Sequence, residues 1–149
     1  MDREVLKLGG NIMKESTTKM AETTAAETFI NVSNHPSTRW GNEQLQAAQK
    51  FGNIVDIAFP SVPATAGTTD ISHLADEIFQ QLLERKPKAV MVAGEFTLAY
   101  AIITRCLRAG ITVVAACSDR CTEEVVNDDG TTTKTVIFKF VQFREFPKL

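Results

Sequence analysis

The sequence predicts an α/β protein, a three-layer Rossmann-like domain with a mostly parallel sheet and a C-terminal antiparallel hairpin. Three observations carry this. From Thr28 to Ser118 short apolar runs alternate with segments of helical period, a pattern that demands parallel strands joined by crossovers. The run Ala89 to Ala93 is apolar throughout, as expected of a strand covered on both faces, and Ile111 to Ala116, with Thr112 its one polar residue, reads as another buried strand. Beyond Arg120 the alternation stops, and two strand-like runs flank the turn Asn127-Asp-Asp-Gly130.

The elements follow in order. Phe29-Ile-Asn-Val32 reads as the first strand, ended by the polar turn Ser33 to Thr38. Gly41 to Phe51 places Leu45, Ala48 and Phe51 at helical spacing, with Gly41 as N-cap and Gly52 as the stop. Ile54 to Phe59 is the second strand, and Pro60 to Thr69 a long loop of the kind that often covers a ligand. Asp70 to Arg85 repeats the helical period through Ile71, Leu74, Ile78 and Leu82, with Asp70 matched to the positive end of the helix dipole. A third strand leads through Gly94 to Thr97 into a helix with Tyr100, Ile103 and Leu107 expected inward. The fourth strand is expected to end in the loop Cys117-Ser-Asp-Arg120, and the strand order to be 2-1-3-4 with the hairpin beyond. In the last strand, simple alternation places Val136, Phe138 and Phe140 on one face and Ile137, Val141 and Phe143 on the other. Apolar residues on both faces point to cover by helices or by the N-terminal extension, or to a homodimer interface.

Composition bounds the function. The chain has 149 residues, 44% apolar and 23% charged, which suits one soluble domain, assigned to residues 28–149. Residues 1–27 mix nine charged residues with Thr, Ala and Ser without a sustained period and read as a flexible N-terminal extension. A net charge of -2 argues against duplex nucleic acid as a partner. No apolar run reaches the ~20 residues of a membrane span and no secretory signal opens the chain, so no membrane partner and a cytoplasmic location are expected. Cys106, Cys117 and Cys121 are an odd set of thiols with no second Cys or His cluster at ligand spacing, so neither a disulfide framework nor a metal is expected. Neither the dinucleotide fingerprint G-x-G-x-x-G, the phosphate loop G-x-x-x-x-G-K-[ST] nor the nucleophile elbow G-x-S-x-G occurs at the places these chemistries need, and no cofactor is expected.

In an open parallel sheet, ligands bind beyond the carboxyl ends of the strands where the winding reverses. The first strand delivers Ser33, Asn34, His35, Ser37, Thr38 and Arg39 to that edge, the third Gly94, Glu95 and Thr97, and the fourth Ser118, Asp119 and Arg120. Hydroxyls and amides beside helix N-termini suit phosphate oxygens. His35, held extended by Pro36, is suited to general acid–base work or to a plain backbone contact. Glu95 is a base, an acceptor for a ribose hydroxyl or adenine amine, or one half of an ion pair. Trp40 stacks a base or staples the first helix, and Arg39 and Arg120 are candidate phosphate contacts.

With the loops Ser33-Asn-His-Pro-Ser37, Gly94-Glu-Phe-Thr97 and Cys117-Ser-Asp-Arg120, the region from Thr28 to Phe146 resembles small stand-alone proteins of the CRISPR-associated Rossmann fold (CARF) group. The resemblance implies a homodimer that binds a cyclic oligoadenylate across its two-fold axis, with Asn34, His35, Ser37, Glu95 and Thr97 facing the ring. It also implies a ring nuclease that opens the ring, the tetra-adenylate first, by metal-independent attack of a ribose 2′-hydroxyl, with His35 and Glu95 as catalytic candidates. Two alternatives stand beside it: a non-catalytic sensor or sponge for the same ligand, and an unrelated Rossmann-like enzyme of nucleotides or sugar phosphates.

Overall fold

β1 (Thr28–Ser33) is buried from Phe29 to Ser33, which only a central strand can be. The structure is a computed structural model and describes residues 26–149; the extension assigned to residues 1–27 lies outside the described residues except for its last two positions. A short 3-10 turn (Ser37–Arg39) leads to α1 (Asn42–Gln49), then β2 (Asn53–Ala58), α2 (Thr68–Arg85), β3 (Ala89–Val92), α3 (Phe96–Arg108), β4 (Thr112–Val126) and β5 (Thr132–Glu145). The sheet runs β2-β1-β3-β4-β5, parallel from β2 to β4, with β5 antiparallel to β4. This is the order expected from the alternation, and it puts the reversal of winding between β1 and β3.

Alternate residues of the central strands feed two cores. Ile30, Val32, Val90, Val92 and Val113 pack against Ile71, Ala75, Ile78 and Leu82 of α2 and Leu98, Ile102 and Cys106 of α3. On the opposite face Phe29, Met91 and Val114 pack against Ala48 of α1, with Trp40, Phe51 and Phe143 closing over them. Among the described residues α1 is the only helix contributing to this second cluster, and the Phe143 ring of β5 packs against it. Burial pushes the Cys106 thiol up to about 11, so it is an inert packing residue. Gly52 is the sharp stop expected after α1: it sits at φ +151°, where an added Cβ would lie 2.3 Å from the Glu27 carbonyl oxygen.

Three local expectations change. Tyr100 is 70% exposed, because the inward stripe of α3 is Leu98, Ala99, Ile102 and Cys106, one position out of phase with the expected one. Ser118, Asp119 and Arg120 are not a strand-end loop; β4 runs unbroken through them and pairs with β5 as far as Val126. The ladder also slips between Cys117 and Ser118, which pair with Gln142 and Phe140 and leave Val141 as the extra residue of a β-bulge. An extra residue reverses parity, so Phe143 joins the face of Phe138 and Phe140 instead of opposing it. The Phe140 and Phe143 ring centroids are accordingly 4.9 Å apart.

Candidate functional site

The loop after β1 is held by a polar network that starts inside the sheet. Asn31 is fully buried in an otherwise apolar strand, and such a group must be paired. Its Nδ2 donates to the His35 carbonyl at 2.9 Å and to Asp56 Oδ1 at 3.0 Å, while its Oδ1 accepts from the Ser33 hydroxyl at 2.7 Å. Asp56 stands opposite Asn31 in the β1–β2 register and reaches up to the next turn. It accepts from the Ser37 amide and, at 2.9 Å, from the Ser37 hydroxyl. The Trp40 indole donates to the same His35 carbonyl at 3.2 Å. The backbone from His35 to Trp40 is therefore fixed before any ligand arrives.

This network assigns several of the expected residues to scaffolding. Ser33 and Ser37 are bonded inward. Trp40 packs edge-on to Phe29 at 6.3 Å and beside Phe143 at 6.1 Å, so its ring staples the start of α1. Gly94 has a packing reason: a Cβ there would come within 2.5 Å of the buried Phe59 ring. Glu95 is the N-cap of α3. Its carboxylate accepts from the Thr97 amide at 3.0 Å, the Leu98 amide at 2.9 Å and the Thr97 hydroxyl at 2.6 Å. These donors, the Thr97 hydroxyl foremost, hold its pKa below the ordinary 4.5.

A depressed carboxylate stabilises the fold above its unfolded pKa, and that stabilisation is lost as pH falls through the folded value. Glu95→Gln, which resembles the protonated acid, is expected to lower the thermal midpoint at pH 7. The gap to wild type should close as the pH drops well below 4.5. A gap independent of pH would contradict the cap as the source.

What opens at the carboxyl ends is a cleft of about 630 Å³ on the α1 side of the sheet. Of the expected residues it gathers Ser33, His35, Arg39, Trp40 and Ser118. Asn34, Ser37, Thr38, Gly94, Glu95, Thr97 and Arg120 lie outside its lining. Its floor is Met91 to Ala93 with Ala115 and Ala116, and Gly41 and Gln44 bring in the N-terminal end of α1. That helix end carries Glu43 in its first turn but no side-chain hydrogen bond caps it, whereas in α2 Asp70 is bonded at 2.9 Å to the Gly67 amide and in α3 Glu95 caps the first amides. The far wall is Phe138 and Phe140 of β5. Arg39, the open amides of α1 and His35 can thus meet an anion at one end, and aromatic carbon can meet a flat apolar group at the other.

The site's scaffold and far wall contain residues not anticipated from the sequence. Asn31 had a visible signal, a lone amide inside an apolar strand. Asp56 had none, because its partner lies on another strand, and Phe138 and Phe140 had none, because the bulge that aims them leaves no mark in composition. Among the described residues no group of three or more His, Cys, Asp or Glu stands together as a metal site requires. Cys117 and Cys121 are free thiols.

The sequence profile described as the uncharacterized protein MJ1673 family matches residues 27–144. The chain belongs to this family. The matched span begins at Glu27, whose carbonyl oxygen accepts from the Asn53 amide at 2.9 Å, and ends one residue short of the last residue of β5. It therefore takes in all of the sheet but Glu145, the β1 loop network and both walls of the cleft. A search of curated proteins returns no match.

Proposed function

We propose that this member of the MJ1673 family binds a cyclic oligoadenylate, the tetra-adenylate first, as a homodimer in the cytoplasm and opens the ring, damping type III CRISPR signalling. One observation carries the reading. At the switch point between β1 and β3, an open helix N-terminus, Arg39 and His35 share a cleft of nucleotide size with an aromatic wall. The resemblance of the loops after β1 and β3 to those of CARF proteins suggests the ligand class, while the third stretch, Cys117 to Arg120, lies within β4. Among the described residues no helix is long and apolar enough to cross a membrane, which agrees with a ligand met in solution.

The chemistry is a transesterification. A ribose 2′-oxygen attacks the adjacent phosphorus, the bond from phosphorus to the 5′-oxygen breaks, and the products are a 2′,3′-cyclic phosphate and a 5′-hydroxyl. One proton leaves the 2′-hydroxyl and one arrives on the 5′-oxygen. His35 is the group in the cleft suited to carry a proton, and Arg39 with the α1 amides would hold the charge developing on the phosphoryl oxygens. Much of the acceleration would come from holding the attack in line.

Binding without cleavage is the second reading, and the Glu95 cap favours it: with that carboxylate spent on α3, no Asp or Glu among the described residues lines the cleft with His35. The second copy has a surface to use. Phe96 is 90% exposed and Tyr100 70% exposed on α3, beside a groove of about 620 Å³ between α2 and α3.

Titration calorimetry with cyclic tri-, tetra- and hexa-adenylate tests the reading. Heat from one ring size at one ring per two chains is expected. No heat with any ring, in protein that unfolds cooperatively, would overturn it.

A further inference from the structure

We propose that Phe138 is the platform on which the cleft stacks a nucleobase, with Arg120 beside it to meet the attached phosphate. This rests on the reading of the cleft as a nucleotide site and names the part that recognises the base. Trp40, read from the sequence as either a stacking ring or a staple, has its ring packed against Phe29 and Phe143 and its indole nitrogen bonded to the His35 carbonyl. Phe138 is the opposite case: it lines the cleft and leaves 69% of its surface in solvent. An exposed phenyl ring in a cleft has a face to offer and is unfavourably hydrated until something flat covers it.

The β-bulge explains why the ring stands there. With Val141 as the extra residue, Phe143, Phe140 and Phe138 follow one another along one face of β5. Phe143 joins the buried cluster, Phe140 leans on it at 4.9 Å, and Phe138 reaches past both. Directly across the ladder from Phe138 is Arg120, and residues paired in this way share a face. Arg120 therefore stands on the same side as Phe138, although it lies outside the cleft lining. A platform, a neighbouring guanidinium and, across the cleft, Arg39 make an arrangement for a base whose sugar carries phosphate on both sides. That is the chemistry of a nucleotide within a ring or strand, and it extends the recognised unit beyond a free mononucleotide.

The test measures equilibrium affinity of wild type, Phe138→Ala and Phe138→Tyr for cyclic tetra-adenylate, adenosine 5′-monophosphate and ribose 5-phosphate, with the solution mass of each variant read by light scattering. Loss of a stacked base corresponds to roughly a five- to hundredfold weaker affinity. That loss is expected in Phe138→Ala for the two base-bearing ligands and not for ribose 5-phosphate, with recovery in Phe138→Tyr. Unchanged affinity in Phe138→Ala overturns the platform and leaves the ring reading standing. Adenosine 5′-monophosphate binding that depends on Phe138, with no binding of cyclic tetra-adenylate, overturns the tetra-adenylate reading and keeps the platform. A drop in mass for Phe138→Ala overturns the platform in favour of a contact between copies, and failure of wild type to bind either base-bearing ligand overturns both.

Discussion

On the proposed ring opening, His35→Ala is expected to slow cleavage by about a hundredfold or more, the range in which positioned proton transfer contributes, and to change affinity for the ring far less. The separation follows from the geometry. His35 is exposed at the cleft lining, and its backbone carbonyl, which the alanine keeps, is what Asn31 and Trp40 hold. The loop is thus expected to keep its course while only the imidazole is lost. Single-turnover cleavage at saturating protein, set beside titration of the uncleaved ring, separates the effects. Equal losses in rate and affinity would make His35 a binding residue, and unchanged cleavage would remove it from the mechanism.

Phe29→Ala is expected to destabilise the fold by about 3–5 kcal/mol, the usual range for emptying a buried aromatic position. Phe29 is fully buried on the central strand, with ring centroids of Phe143 at 5.1 Å, Phe51 at 5.7 Å and Trp40 at 6.3 Å around it. The resulting cavity would touch the loop through Trp40, α1 through Phe51 and β5 through Phe143. A loss of that size is a large fraction of the stability of an ordinary domain. Urea unfolding followed by tryptophan fluorescence measures it directly, since the chain has one tryptophan and it sits in this cluster. A change below about 1 kcal/mol, the scale of an ordinary surface substitution, would contradict the packing of β5 over α1's face.

Much of this architecture is legible in the sequence. The apolar runs at 89–92 and 113–116 announce strands with cover on both sides, and the return of Ile71, Ile78 and Leu82 at helical spacing announces α2. Once a helix separates each strand from the next, few sheet orders remain. The C-terminal ribbon is harder to read because much of it is exposed, and without a core to select one parity Ser118 to Arg120 look like a loop when they are strand. One extra residue at Val141 then reverses the faces of everything on one side of it, a change that no local composition signals.

The site was legible as a place and less so as a list. The rule that ligands gather where the winding reverses locates His35, Arg39 and Ser118 at the cleft. It does not separate residues that face the cleft from residues that build it. Glu95 and Ser37 are both polar residues beside the start of a helical turn, and their hydrogen bonds commit one to capping α3 and the other to Asp56. Such commitments depend on which backbone donors are unpaired nearby, which only the folded chain determines.

The central claim is that the cleft takes in a cyclic oligoadenylate and opens it. It is tested most directly by incubating the purified protein, in EDTA, with radiolabelled cyclic tri-, tetra- and hexa-adenylate and resolving the products on native and denaturing gels. The account predicts linear products ending in a cyclic phosphate from one ring size, the tetra-adenylate first. A ring that shifts on the native gel and stays closed would contradict cleavage and leave a sponge, and neither shift nor product would contradict the claim as a whole.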